Sequence, residues 1–364
     1  MAQPVPVRDV PARPWRVMFA VALTLTVLLW AGWEWRMRRL ELSPGDRSDG
    51  ASTWAEQRRR IDTETIPIAI IGDSRILFDT DLDRFQALTG VRPVQLALAG
   101  TNARPFLEDL ADDPRFKGLL IVGIAETSYF RDEVGLQKDA LARYHYESPA
   151  QRASFLLHRA LEREVAFLED NYRLSKLIAR LDPGWRAGVK GPYDDVWKIA
   201  QHGDGRQTWL WPRIEHDPYL RGHARAAWHR FAGIPVTNAI IAMTFSRTRD
   251  AVAKIRSRGG DVVFLRPPSA SLVRINEERR LPRAAGWGRL LAAARVRGVH
   301  FDDEPAMQGL VIPEFSHLTR ACATVFTDAY VRRLAQITPR IRLRAGAPPP
   351  LAPRDCGGGS SPPT

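Results

Sequence analysis

Cysteine is scarce in this chain. Only two of its 364 residues are cysteines, Cys322 inside a helical pattern and Cys356 in a Gly/Ser/Pro-rich tail. They form no C-x-x-C pair and no metal-ligand spacing, so the sequence indicates neither a disulfide framework nor a zinc site. Cys322 reads instead as a small buried apolar residue. Acidic residues are in deficit, 41 Asp and Glu against 53 Lys and Arg, for a formal charge of +12. A basic excess favours anionic partners: phospholipid head groups, acidic glycans or nucleic acid. No nucleic-acid recognition motif is present, which removes the last of these. No internal repeat is visible, and that sets aside a solenoid. The stretch Asp79-Thr80-Asp81-Leu82-Asp83 imitates the start of a calcium loop, but Arg84 stands where the loop needs glycine and no Glu closes it. It reads as a solvated helix start.

What is present is ordinary for a globular protein, 45% hydrophobic and 26% charged residues, with length enough for a sizeable core. One exception stands at the N-terminus. Val17 to Trp33 is uncharged and almost wholly apolar, at the short end of the roughly 17–25 residues of a membrane-spanning helix. Trp15, Trp30, Trp33 and Trp35 are available for the interfaces, with Arg8, Arg13 and Arg16 before the run and Arg36, Arg38 and Arg39 after it. No small-x-small site ends the run, so an uncleaved single-pass anchor is expected. Both flanks are basic, and charge does not set the orientation.

Beyond the anchor the chain alternates short apolar runs with helical patterns. Strands are expected at Ile68–Ile71, Val94–Leu98, Leu119–Val122, Asp261–Leu265 and Val299–Phe301, each bounded by turn residues as for strands buried on both faces of a parallel sheet. Helices are expected at Asp81–Thr89, Pro105–Ala111, Val236–Arg258, Pro282–Val296 and Leu318–Gln336. This order predicts a doubly wound, mostly parallel α/β domain. The expected division is a basic tail over 1–16, the anchor over 17–35, a polar linker over 36–62, and a domain over 63–340. A helical insertion at about 131–235 interrupts the domain, and a tail over 341–364 is disordered by composition. The insertion joins a helical stretch, Ala150–Leu181, to an aromatic Gly/Pro-rich region from Gly184 to Tyr219 with few strand signals, and reads as a cap or docking face. Its Trp209, Trp211 and Tyr219 suit either sugar stacking or packing.

Chemistry concentrates at two places far apart in sequence. Gly72-Asp73-Ser74-Arg75 follows the first strand, so the Ser74 hydroxyl is expected at the carboxyl edge of the sheet, beside the N–H groups of a helix start. Near the C-terminus, Glu314-x-x-His317 immediately precedes the last helix, with Thr319 as its start signal. A serine, a histidine and a carboxylate are the parts of a nucleophilic triad: His317 as base, and Glu314 to orient the ring. His145, His158, His202, His216, His223, His229 and His300 have no comparable setting, and His223 and His229 do not share a helical face as a metal pair requires. Arg75 beside the serine and Arg266 after the fourth strand are candidates to hold an anionic substrate group.

These residues carry a resemblance. Gly72-Asp73-Ser74 after the first strand, Gly100 in Leu98-Ala99-Gly100-Thr101-Asn102 after the second, and Glu314-x-x-His317 before the last helix resemble the SGNH (GDSL-like) hydrolase superfamily, over about 66–130 and 260–336. With the anchor, the chain is similar to membrane-tethered members serving cell-envelope O-acylation, such as alginate O-acetylation proteins and the D-alanyl transfer protein of teichoic-acid modification. The resemblance implies a flavodoxin-like SGNH fold outside the cytoplasm, on the bacterial inner membrane. It implies Ser74 as nucleophile and first oxyanion donor, Gly100 as second donor, His317 as base and Glu314 in place of the usual aspartate. It also implies acyl transfer or ester hydrolysis on an envelope polysaccharide, acetyl foremost, beside a membrane-bound O-acyltransferase and with no cofactor. The chain departs from the pattern at the third strand. Gly123-Ile124-Ala125-Glu126-Thr127 lacks the family's oxyanion asparagine, a donor worth about 2.7–4 kcal/mol, and Asn102 is a candidate replacement. The same departure suits a second expectation, a catalytically degenerate accessory that docks with the acyltransferase or binds glycan.

Overall fold

The computed structural model describes residues 13–132, 135–179, 198–228 and 235–357. Its centre is a five-stranded sheet formed by β1 (Ile68–Ile71), β2 (Val94–Gln95), β3 (Leu119–Gly123), β6 (Asp261–Arg266) and β7 (Arg297–His300), in the order β2-β1-β3-β6-β7. Every neighbouring pair is parallel. The strands are buried along nearly their whole length because helices cover both faces, which is why they read as continuous apolar runs rather than alternating ones. One core gathers Ile68, Ile70, Leu119, Ile121, Val263 and the last helix, Arg320–Ile337. The other gathers Ala69, Ile71, Leu120, Val122, Val262 and the helices Arg104–Asp112 and Asn238–Ser257. The alternation along each strand assigns successive residues to opposite layers. The architecture is a mostly parallel α/β fold, as the sequence predicts.

The expected strands are all present, with β2 shorter than expected. Beyond Gln95 the chain still follows β1, through Leu96 N–H to Ile70 O at 2.7 Å and Leu98 N–H to Gly72 O at 3.0 Å. The periodicity does not predict the helix Ser271–Arg280, whose SLVRINEERR lacks an apolar stripe and buries only Glu277.

Three expected boundaries need correction. The apolar N-terminal run is the heart of a 25-residue helix, Trp15–Arg39, about 37 Å long at 1.5 Å per residue and so long enough to cross a bilayer. Its first part is exposed, while Met37 is buried in the domain core. The expected linker over 36–62 belongs to the domain: the helix Ala51–Thr63 buries Trp54, Ala55 and Ile61. Trp54 donates through Nε1 to Leu96 O at 2.8 Å and stacks on Phe106, and Arg58 pairs with Asp109 and Asp113. Its burial runs through one tryptophan and an ion-paired arginine, so its polar composition hid it.

The expected disordered tail is ordered through Gly357. A disulfide joins Cys322 to Cys356, where the spacing had indicated none. Further bonds run from Arg344 N–H to Leu88 O (2.9 Å), Arg84 Nη2 to Pro349 O (2.7 Å) and Leu351 N–H to Asp328 Oδ2 (3.1 Å). Composition undervalues such a tail because its order comes from docking, not from its own residues. Residues 1–12, 180–197, His229 and 358–364, which carry parts of the expected tails, insertion and histidine pair, lie outside the described residues.

The insertion does lie between the third and fourth strands of the sheet. It contains helices Gly135–Tyr146 and Pro149–Glu162 and an antiparallel hairpin, β4 (Ala200–His202) with β5 (Thr208–Leu210), where few strand signals were seen. The hairpin is tied down by its turn: Gln207 Nε2 donates to Thr80 O at 3.0 Å, and Arg206 bonds Asp49 and Gln95 O.

Candidate active site

In open α/β sheets ligands bind beyond the carboxyl ends of the strands where the strand order reverses, here between β1 and β3. A cavity of about 410 Å³ occupies that place. Its wall includes Asp73, Ser74, Arg75 and Phe78 from the segment after β1, Ala99, Gly100 and Thr101 after β2, Thr127 and Ser128 after β3, and Phe315, Ser316 and His317. The insertion closes it with Glu169, Asp170, Asn171, Arg225 and Trp228.

The serine sits at N1 of a one-turn helix, Ser74–Phe78, whose cap is Asp73, accepting Arg75 N–H at 3.1 Å. The strand exit is tight. A Cβ on Gly72 would lie 2.3 Å from the Ile76 side chain, and one on Gly123 would lie 2.5 Å from it, so both positions require glycine. Ser74 is partly exposed, and its hydroxyl makes no hydrogen bond among the described residues.

The two distant segments meet through three successive contacts. Arg75 Nε donates to Ser316 Oγ at 3.3 Å, the Phe78 and His317 rings stack at 4.1 Å, and Leu318 N–H donates to Asp79 Oδ1 at 2.9 Å. Phe78 lies one turn beyond Ser74 on the same helical face, so the stack sets the imidazole on the serine's side. Trp228 meets the ring edge-on at 5.5 Å. His317 is 1% exposed, and Phe315 just before it takes a left-handed conformation (φ 78°) that bends the loop into place.

Glu314 is fully buried, with Oε1 3.1 Å from His317 Nδ1. That approach is off the direction of a hydrogen bond; among the described residues both ring nitrogens lack a directed partner. The carboxylate itself is well held: Oε1 accepts the N–H of Ser316 at 3.2 Å and of His317, and Oε2 accepts Trp228 Nε1 at 2.7 Å. The longer acid therefore still sets a carboxyl oxygen against Nδ1, on the side of the ring away from Nε2.

The remaining predicted residues divide. Gly100, at φ 73°, lines the cavity. Asn102 does not: its amide donates to Arg131 O at 2.9 Å and its carbonyl accepts Arg104 N–H at 2.8 Å, so the expected replacement donor is committed to the turn. Arg75 lines the cavity; its Nη1 has no partner among the described residues, while Nη2 pairs with Glu277. Arg266 does not line it. It is buried between Glu126 (2.6 Å) and Glu277 (2.8 Å), which corrects its expected substrate role. Trp209, Trp211 and Tyr219 are also outside the wall; Trp211 is core, and Trp209 carries Arg320 over its ring.

Sequence reasoning missed four wall or support residues. Glu277 belongs to the helix Ser271–Arg280; burial would raise its pKa, but Arg75 and Arg266 outweigh that and hold it down to about 2. Trp228 and Arg131 come from the insertion, where no motif marks them. Arg131 is only 7% exposed, forms no ion pair among the described residues, and donates through Nη2 to Gly100 O at 2.6 Å. It is a buried cation beside the second expected oxyanion donor, and burial lowers its pKa against the opposing pull of Asp73. Asp79 was passed over as part of an acidic helix start.

Asp79 is fully buried, its Oδ2 has no partner among the described residues, and burial raises its pKa well above the usual aspartate range. An acid with a raised folded-state pKa contributes most below its unfolded pKa, about 3.9. That contribution is lost as pH climbs from there toward the folded pKa. Asp79→Asn keeps the acceptor for Leu318 N–H and removes the titration. The variant is expected to be more stable than the parent to urea at neutral pH and no more stable below about pH 3.5. Equal gains at both pH values would show that Asp79 is charged in the folded state.

No protein-family model matches the sequence, and no curated protein matches it.

Proposed function

We propose that the chain is a membrane-anchored, extracytoplasmic SGNH-like acyl-transfer enzyme acting on acyl groups, acetyl foremost, of a cell-envelope polysaccharide. The observation that carries this reading is that Ser74 and His317 line one cavity on the carboxyl edge of the sheet, with the buried Glu314 3.1 Å from His317 Nδ1. Ser74 Oγ attacks the ester carbonyl and its proton passes to His317 Nε2. Glu314 stabilises the imidazolium, and the Ser74 and Gly100 N–H groups hold the oxyanion. His317 returns the proton to the departing alcohol, leaving an acyl-serine. Water then gives net hydrolysis, whereas a sugar hydroxyl gives transfer. No step needs a cofactor.

Two observations support the location. The helix Trp15–Arg39 has the length and hydropathy of a membrane span. The Cys322–Cys356 disulfide suits an oxidising compartment and fits poorly with a reducing cytoplasm. A membrane-bound O-acyltransferase and an envelope glycan are the partners this reading names.

A second reading is favoured by Ala125, which stands where the family has its oxyanion asparagine, together with the committed Asn102 amide. It is a catalytically degenerate accessory that docks with the acyltransferase or binds glycan. Fluorophosphonate labelling of the full chain decides between the two. Labelling that depends on Ser74 supports the enzyme; absent labelling, with envelope acylation intact in cells carrying Ser74→Ala, supports the accessory.

A further inference from the structure

The helix Pro149–Glu162 is turned inside out. Its polar side faces the protein: Arg159 pairs with Glu56, and the buried Glu162 accepts Ser48 N–H at 3.1 Å and lies 3.0 Å from His158. Its apolar stripe faces outward, with Leu156, Leu157 and Leu161 exposed by 48, 65 and 50%. Ala153 and Ala160, at helical spacing with them, are exposed too. The helix is therefore held to the domain by polar contacts while its hydrophobic face is bare. The helix Leu174–Ala179 also leaves apolar side chains bare, with Leu174 and Ile178 exposed by 60 and 56%.

The short turn between these helices, Ala166–Leu168, is fastened to the membrane helix. The Glu34 carboxylate accepts Ala166 N–H at 2.9 Å and Phe167 N–H at 3.1 Å, and the Trp30 and Phe167 rings lie 6.2 Å apart. The turn that links the two bare stripes is thus packed against Trp30 and Glu34 of Trp15–Arg39. Exposed Arg152, Arg163 and Lys176 accompany them.

We propose that this face is a membrane-interface surface, resting on the bilayer from which Trp15–Arg39 emerges. Leu156, Leu157, Leu161, Leu174 and Ile178 enter the boundary between head groups and acyl chains, and the basic residues meet acidic head groups. A lipid surface fits better than a separate protein because the turn between the stripes is fastened to a helix that already has the composition to sit in lipid. The consequence for the site is positional. Glu169, Asp170 and Asn171 of the cavity wall directly follow the fastened turn, so docking holds the cavity close to the membrane surface. The proposal rests on insertion of the anchor and not on the acyl chemistry.

The test uses the full chain in phosphatidylcholine vesicles, with and without phosphatidylglycerol. Leu157→Cys and Leu161→Cys each carry an environment-sensitive fluorophore; the native cysteines are paired and do not compete. Lys254→Cys, exposed near the amino edge of the sheet, is the control. Nitroxide-labelled lipid is expected to quench the two leucine-site probes several-fold more strongly than the control, with blue-shifted emission, and more so with phosphatidylglycerol. Quenching no greater than the control in vesicles that carry the protein overturns the proposal while leaving the anchor intact. Failure of the chain to float with vesicles overturns both. Cross-linking between chains through unlabelled Leu157→Cys, with no lipid quenching, would assign the face to a second copy instead.

Discussion

Ser74→Ala is expected to abolish covalent labelling of the full-length protein by a fluorophosphonate and to lower p-nitrophenyl acetate hydrolysis by about 10⁶-fold, effectively to background. His317→Ala should cost about as much, because the two act as one unit and removal of either strands the other. Glu314→Gln should cost less, about 10⁴-fold, since it removes the charge facing Nδ1 but leaves nucleophile and base in place. The geometry explains the ranking. The His317 ring stacks on Phe78, a contact that does not involve the Glu314 side chain, so part of the ring's hold survives the loss of the carboxylate. Unchanged circular dichroism would show that each variant folds. Labelling that survives Ser74→Ala in a folded protein would remove Ser74 as nucleophile.

The second large effect concerns stability. Cys322→Ser with Cys356→Ser is expected to lower unfolding free energy by about 4 kcal/mol, the chain-entropy contribution of a link across the 34-residue separation. The link matters because the segment it closes docks rather than folds by itself. Ile341 is buried, and Asp328 holds Arg84, Arg332 and Leu351 N–H around the tail. Urea unfolding with and without reductant reads the effect: the parent should shift and the double variant should not. A parent midpoint indifferent to reductant would mean that the tail's polar contacts suffice.

The periodicity of the chain was a sound guide wherever burial was simple. Strands covered on both faces leave unbroken apolar runs, and Ile68–Ile71, Leu119–Gly123 and Asp261–Arg266 fall close to where those runs lie. Helices with one apolar side, such as Asn238–Ser257 and Arg320–Ile337, were equally legible. The reading failed where burial is polar. Ala51–Thr63 packs through Trp54 and the ion-paired Arg58, and Ser271–Arg280 through Glu277, so neither shows a stripe. Arg75 and Arg266 look alike in sequence, each an arginine just after a strand. Glu277 takes a bond from both, but only Arg75 also borders the cavity.

By itself the sequence determined the layered α/β order and the N-terminal apolar helix, and it marked Ser74, His317 and Glu314 as candidates, because these depend on local spacing and on residue chemistry. Only the tertiary structure decided that the segments around Ser74 and His317 share one wall, that Asn102 is committed to Arg131 O, that the buried Arg131 bonds Gly100 O, and that Cys322 finds Cys356. Each of these is a contact between segments far apart in the chain. No local pattern encodes such contacts, since the folding of the sheet, the insertion and the tail brings the partners together.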